Sequence, residues 1–204
     1  AYEILTCDWS SDVCSSDLLQ EIATGFGKTI TTATLSKICE KYGRTIVIVP
    51  NKSLVEQTEE DFVNCRLDVG VYYGDRKELG KTHTICTWQS LNVLDKKSKD
   101  DDDALSLAEF LDGVQTVIVD EVHMAKAEVL KKLLTQNLSQ ACIRWGLTGT
   151  IPKEEMEYQS LRCSIGDVIN YVKAHELQEK GILSNCHVRS EEHTSELQSH
   201  VRIS

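Results

Sequence analysis

The sequence predicts a three-layer α/β sandwich built on a mainly parallel sheet. Continuous apolar, β-branched runs such as 45–49 and 114–119 are typical of strands that are covered on both faces. Segments with helical periodicity alternate with these runs, as they do when helices connect parallel strands. A glycine-rich loop at 23–29 lies between a short apolar stretch and the first helical segment. This order of strand, loop and helix is the usual opening of such a sheet.

The elements follow in a regular order along the chain. The first strand is predicted to end at Ile22 and Ala23, and a helix over 30–42 follows it, which Gly43 ends. A second helix is predicted over 52–64. The remaining strands are predicted at 45–49, 69–73, 83–86, 114–119 and 143–148. The charge run at 96–103 predicts a solvated loop or insertion.

Composition limits the classes of protein that fit. The 204 residues carry a net charge of −10, which argues against a non-specific nucleic-acid coat but not against a local basic groove. No apolar run is long enough to span a bilayer, and the first residues lack the pattern of a secretory signal. The eight cysteines are scattered without a Cys-x-x-Cys pair, which predicts free thiols in a reducing compartment. We therefore expect a cytoplasmic protein without a membrane partner.

Both ends of the chain have no apolar periodicity. Residues 189–199 resemble the translation of a common sequencing adapter, and residues 9–18 resemble the translation of its reverse complement. We therefore expect 1–18 and 189–204 to be adapter-derived and non-native. The expected biological segment is 19–188, truncated at its N-terminus and part of something longer.

The loop at 23–29 has the composition of a phosphate-binding loop. Glycines let consecutive backbone N–H groups point at phosphate oxygens, a lysine supplies a point charge, and a threonine hydroxyl can ligate Mg²⁺. The strict pattern has a further glycine where this chain has Ile22. The candidate nucleotide-binding residues are Thr24, Gly25, Phe26, Gly27, Lys28 and Thr29.

Two acidic residues follow a buried strand and predict the second half of the phosphate site. Asp120 and Glu121 directly follow the apolar run at 114–119. At the carboxyl end of a parallel strand, Asp120 can hold Mg²⁺ and Glu121 can orient the water that attacks the γ-phosphate. The candidate catalytic residues are Glu121, Asp120 and Lys28, and the candidate metal ligands are Thr29 and Asp120.

Five motifs together resemble superfamily 2 helicases. The loop at 23–29 looks like their motif I, and 49–57 is similar to motif Ia. The Thr-Trp-Gln segment at 87–91 resembles a DNA-contact motif, Asp-Glu-Val-His at 120–123 resembles the Asp-Glu-x-His box, and 146–150 stands where motif III stands. The residues of the third and fifth motifs, Thr-Trp-Gln and Gly-Leu-Thr-Gly-Thr, are similar to those of UvsW-type phage recombination helicases. The resemblance implies a RecA-like fold for the segment 19–188.

The resemblance also implies roles for residues outside the phosphate site. His123 is expected to couple the ATP site to motif III through Thr148 or Thr150. The residues expected to face the nucleic-acid backbone are Pro50, Lys52, Thr87 and Gln89. Such contacts come from amides and hydroxyls as well as from cations, so an acidic protein can make them.

The implied function is that of an ATP- and Mg²⁺-dependent DNA helicase or translocase of the phage recombination or repair type. Its expected partner is DNA, branched or single-stranded. Such motors need a second RecA-like domain that supplies arginine fingers, so this chain alone is expected to bind nucleotide weakly and not to unwind DNA. A restriction-modification motor and an RNA helicase are alternatives within the same class. A binding module without turnover and a small-molecule kinase are alternatives of other classes.

Overall fold

The computed structural model describes residues 16–23, 27–100, 105–124, 131–172, 178–179 and 181. The strands in this part of the chain are β1 (Ser16–Ile22), β2 (Arg44–Val49), β3 (Val69–Tyr73), β4 (Arg76–Lys77), β5 (His83–Thr87), β6 (Val114–Val119), β7 (Ile143–Thr148) and β8 (Asp167–Val172). The α-helices are α1 (Lys28–Cys39), α2 (Lys52–Asn64), α3 (Trp88–Asp100), α4 (Leu107–Phe110) and α5 (Glu155–Ile165). Single turns of other helix types occur at Glu40–Tyr42, Val122–Met124 and Leu133–Asn137.

All eight strands form one sheet in the order β4-β3-β5-β2-β6-β7-β1-β8. Every neighbouring pair is parallel except β3 and β4, which are antiparallel. Segments that contain helices connect most of the successive parallel strands, whereas β3 and β5 are connected through β4. The predicted α/β fold with a mainly parallel sheet is confirmed.

Two apolar clusters cover the two faces of the sheet. On one face, Ala33 of α1 and Phe62 of α2 pack against Val47 and Ile118. On the other face, side chains of α3, α4 and α5 pack against the alternate residues of the same strands, such as Ile48. Because β2 is apolar on both faces, five of its six residues are buried. The sheet is thus the middle of three layers, as predicted.

Strand β1 begins earlier than the predicted biological segment. Ser16 pairs with Ile143 of β7, and Leu18 pairs with Asp167 of β8. Residues 16–18, predicted above to derive from adapter, therefore form the first half of β1. Their origin stays a prediction, and the rest of both segments (1–15 and 189–204) lies outside the described residues.

The predicted loop at 96–103 is wrong over its first half. Residues 96–100 lie in the second half of α3. Leu91 and Leu94 are buried and hold one side of this helix against the sheet, while Lys96 and Lys97 lie on its exposed side. A helix anchored by one apolar stripe tolerates charges on its other faces. Residues 101–103 lie outside the described part of the chain.

A buried polar contact ties the end of α1 to β5. The fully buried His83 side chain contacts the Ser36 hydroxyl at 2.6 Å through Nδ1. Its Nε2–H donates to the Glu40 carboxylate at 2.8 Å. Buried polar groups with all their partners restrict how two elements can pack. This contact therefore fixes α1 relative to the centre of the sheet.

Other sequence expectations can be checked in the described residues. Cys39 and Cys86 are buried free thiols, as expected, whereas Cys65 and Cys163 are free and exposed. Within the described ranges, none of the helices combines the length and the apolar character needed to cross a membrane.

Candidate functional site

The phosphate-loop end of α1 has the geometry expected of an anion site. Gly27 precedes the helix with φ of 86°, in the left-handed region. A Cβ at Gly27 would meet no atom within 4 Å. Glycine is therefore needed here for its left-handed backbone conformation and not because a neighbouring atom lies too close for a side chain. The first turn of α1 contains no acidic residue, and its free N–H groups carry partial positive charge. The candidates Thr24, Gly25 and Phe26 lie outside the described residues.

Lys28 and Glu121 form an ion pair across the site. The Lys28 Nζ donates to the Glu121 Oε1, and the two side chains are only 10% and 17% exposed. Glu121 has φ of 47°, which is uncommon for a residue other than glycine. This backbone turn carries its side chain back over the start of α1. The candidate lysine and the candidate carboxylate are therefore brought into direct contact.

Asp120 lies beside this ion pair at the end of β6. Its backbone N–H donates to the carbonyl of Ile48 at 2.9 Å, and its Oδ1 accepts from the Glu121 N–H at 2.9 Å. Burial raises the pKa of the Asp120 carboxyl, and the nearby Lys28 ammonium lowers that pKa in part. The site therefore holds a desolvated carboxylate that a further cation would stabilise.

A hydrogen-bonded chain leads from the acidic turn to the end of β7. The Thr148 hydroxyl lies 2.7 Å from His123 Nδ1, donates to the Thr150 carbonyl at 2.8 Å and accepts from the Thr150 N–H at 3.2 Å. The single hydroxyl proton goes to the carbonyl, so His123 Nδ1 must carry a proton and donate. The Glu121 carboxylate, 3.4 Å from Nδ1, favours the same tautomer.

Glu121 joins the two halves of the site. One carboxylate oxygen contacts Lys28, and the other lies 3.5 Å from the Gly149 N–H. The predicted coupling residues His123, Thr148 and Thr150 are thus one network with the predicted catalytic residues. Gly149 was not among the candidates, although it lies inside the motif at 146–150.

The candidate nucleic-acid residues form a second group on β2, β5 and the helices that follow them. The Gln89 amide donates to the Pro50 carbonyl at 3.1 Å. Thr87 is buried, and its hydroxyl accepts from the Ser90 N–H at 3.3 Å, which caps the first turn of α3. Lys52 is exposed, 3.7 Å from Glu56. That these residues contact nucleic acid stays a prediction.

Both groups lie at the carboxyl-terminal ends of the parallel strands. The phosphate loop follows β1, the acidic turn follows β6, and Thr148 ends β7; these three strands are neighbours. Pro50 follows β2, Thr87 ends β5, and these two strands are neighbours as well. Parallel strands present all their carboxyl ends on the same side, where ligands bind in open α/β sheets. The two groups of candidates are therefore adjacent on this side of the sheet.

The fold and this site define a nucleotide-binding, RecA-like domain of the superfamily 2 helicase class. The chain belongs to the family described as Type III restriction enzyme, res subunit, which matches residues 15–153. The predicted resemblance is thereby confirmed at the level of class and fold.

Known relatives agree with this assignment. A curated relative is the general transcription and DNA repair factor IIH helicase/translocase subunit XPB/SSL2 of Saccharomyces cerevisiae, 25% identical over 167 residues. The match covers 79% of this chain and 19% of the relative, so the chain spans about a fifth of that protein.

Two solved structures share the fold. The UvsW helicase from Bacteriophage T4 superposes with a TM-score of 0.61 at 19% identity, covering 76% of this chain and 54% of that chain. The Hef helicase domain from Pyrococcus furiosus gives a TM-score of 0.61 at 19% identity, covering 79% of this chain and 36% of that chain.

Proposed function

We propose that this chain is the first motor domain of an ATP-dependent DNA helicase or translocase. The observation that carries the proposal is the convergence of Lys28, Asp120 and Glu121 with the His123–Thr148 network at one sheet edge. A phosphate cradle alone would serve a kinase or a simple binding protein. A carboxylate that contacts both the cradle lysine and a hydrogen-bonded chain to the next strand fits a motor that must sense its nucleotide.

The ion pair gives Lys28 and Glu121 alternating roles. When the triphosphate binds at the start of α1, the Lys28 ammonium moves from the carboxylate to the outer phosphate oxygens. Glu121 is then free to hold the attacking water and to accept its proton while the terminal phosphate–oxygen bond breaks. Binding of substrate thus releases the catalytic base.

The residues present fit a Mg²⁺ ion, which we propose as the second cofactor with ATP. Asp120 offers a buried carboxylate with a raised pKa, and Thr29 lies in the first turn of α1. Among the described residues, no group of three or more His, Cys, Asp or Glu could hold a metal. Mg²⁺ takes most of its ligands from phosphates and water in such sites, so one or two protein oxygens suffice. When bound, the ion neutralises phosphate charge during transfer.

The hydrogen-bonded chain then reports the state of Glu121 to β7. If the carboxylate moves toward water, its contacts with Gly149 and His123 change; Gly149 lies in the turn after β7, and His123 contacts Thr148 at the end of that strand. We propose that this turn carries the signal to a second RecA-like domain of the parent protein. That domain would complete the ATP site with arginine side chains.

DNA is the proposed partner, branched or single-stranded, because the relative matched in sequence is named as a DNA repair helicase/translocase. A restriction-modification motor is the second candidate, since the family itself is named after a restriction subunit. Either motor would act in the cytoplasm, that of a bacterial host if a phage encodes it.

A nucleotide titration tests the proposal on the full chain. We expect fluorescent mant-ATPγS to bind saturably in the presence of Mg²⁺ and Lys28→Ala to weaken binding at least about tenfold, since the lysine contacts phosphate directly. Lys41→Ala, at an exposed position in the turn that follows α1, is the matched control and should bind like the wild type. Equal binding by the Lys28 variant would contradict the proposed site. ATP turnover of the parent protein, with its second motor domain, measured with and without single-stranded DNA separates a motor from a module that only binds.

A further inference from the structure

A cleft of about 200 Å³ lies between the β3–β4 hairpin and α3. We name it the hairpin cleft. Lys77 lines it from the hairpin, Lys97 from the middle of α3, and Gln89 and Ser90 from the first turn of that helix. Tyr72 and Val93 contribute apolar surface. None of the five motifs assigns a role to its two lysines.

The hairpin cleft is locally basic in an acidic protein. The net charge of the chain is −10, yet the charged residues that line this cleft are Lys77 and Lys97. Within the described residues, neither lysine takes part in an ion pair. The neighbouring cleft on the other side of the hairpin instead contains both acidic and basic residues, among them Glu56 and Asp75. Unpaired cations on two facing walls create a local positive potential that attracts anions.

The hairpin that carries Lys77 is held in place. The Arg76 guanidinium makes two hydrogen bonds of 2.7 Å to the Glu59 carboxylate of α2, and the Tyr73 hydroxyl donates to Glu56 at 3.0 Å. Bidentate arginine–carboxylate pairs fix orientation as well as distance. The wall of the cleft is therefore formed before any ligand arrives.

The cleft continues the edge that carries the candidate nucleic-acid residues. Gln89 lines the cleft and donates to the Pro50 carbonyl, so the two features share a side chain. Ser90, also in the lining, is bonded to Thr87. A strand that passes over the ends of β2 and β5 is thereby led toward the space between the hairpin and α3.

We infer that the hairpin cleft binds a backbone phosphate of the nucleic-acid strand, with Lys77 and Lys97 on either side of it. The inference rests on the proposed function and extends the nucleic-acid contact outward, toward the β4 edge of the sheet. Lysines act on phosphate as point charges, and the Ser90 hydroxyl is a nearby donor. The contact is independent of base sequence. The apolar surface of Tyr72 and Val93 suits the sugar next to the phosphate.

Fluorescence anisotropy of the full chain with a labelled oligo-dT strand tests this inference. The variants are Lys77→Gln, Lys97→Gln and the double substitution. The control is Lys41→Gln with Lys131→Gln, which removes the same charge from two exposed positions that do not line the cleft. Lys52→Gln, a variant of a candidate nucleic-acid residue that does not line the cleft, reports on the proposed function independently.

Each neutralised phosphate contributes about 0.7 to the slope of log K against log salt on a single strand, and the two lysines share one phosphate. We expect the double variant to lose about that much slope and to bind at least about tenfold more weakly at low salt, while the control keeps the wild-type slope. Unchanged affinity and slope in the double variant, with Lys52→Gln still weakening binding, would overturn the inference and leave the proposed function intact. Absence of binding by the wild type would contradict the proposed function itself.

Discussion

Replacing Glu121 with glutamine should tighten the binding of ADP. The substitution keeps the shape of the side chain but removes the charge that holds Lys28 away from phosphate. The two side chains are 10% and 17% exposed, so the pair lies between an exposed and a buried ion pair. Exposed pairs contribute under about 1 kcal/mol, and breaking a buried pair costs about 3–5 kcal/mol. A value of about 1–2 kcal/mol corresponds to a Kd for ADP that falls about 5- to 30-fold.

Titration with mant-ADP and Mg²⁺ measures this effect without hydrolysis. The same substitution in a Lys28→Met background separates the ion pair from the general loss of negative charge, since no ammonium is then left to release. We expect the gain from Glu121→Gln to shrink to a small part of its original size in that background. An equal gain in both backgrounds, or an ADP affinity that does not rise at all, would refute the idea that the ion pair competes with nucleotide.

Three further predictions concern stability. Thr148→Val should lower the free energy of unfolding by about 1–3 kcal/mol, because it removes the buried hydroxyl that bonds His123 Nδ1 and the Thr150 backbone. Thr148→Ser keeps this hydroxyl and loses one buried methyl group, so it should lower the free energy of unfolding by only about 0.8 kcal/mol in urea. Burial raises the pKa of Asp120, so the stability from its neutral form is present below the unfolded-state pKa and lost as the pH rises through the folded-state pKa. Asp120→Asn should therefore be more stable than the wild type at pH 7, with a difference that shrinks toward pH 4 in urea titrations. Gly166→Ala should cost at least about 2 kcal/mol in thermal unfolding, because φ is 107° and its Cβ would lie 2.2 Å from a carbonyl oxygen of β1. Gly80→Ala, strained but in open space, should cost less; equal losses would contradict the steric argument.

The sequence predicts the central strands well because their signal is local. The runs at 69–73, 114–119 and 143–148 coincide with β3, β6 and β7, and the helix at 52–64 coincides with α2. β-Branched apolar residues covered on both faces leave little choice of conformation. The short β4 carries no such signal because its two residues are exposed and charged, and the edge strand β8 pairs with β1, far along the chain. The charged residues 96–100 were wrongly predicted to form a loop for a related reason. They continue a helix that the preceding, buried Leu91 and Leu94 hold against the sheet.

The residues of the site were predictable, but their contacts were not. Motifs identify Lys28 and Glu121 separately, 93 residues apart, and nothing in either motif says that they pair. That contact depends on the parallel arrangement of β1 and β6 on either side of β7 and on the left-handed turn at Glu121. The hairpin cleft was missed because its lysines come from two segments without a shared motif.

At Glu121, the residue type that best suits the backbone conformation differs from the residue type that the proposed reaction needs. Holding a straight-chain residue at φ of 47° costs about 1–2 kcal/mol relative to a residue that accepts this region. Glycine or asparagine would suit the local conformation better, yet neither could reach both Lys28 and the water that we propose Glu121 holds. Valine, isoleucine and threonine are disfavoured by sterics alone. A selection for thermostability would therefore drift toward inactive sequences here, and a selection for turnover would keep the strained residue.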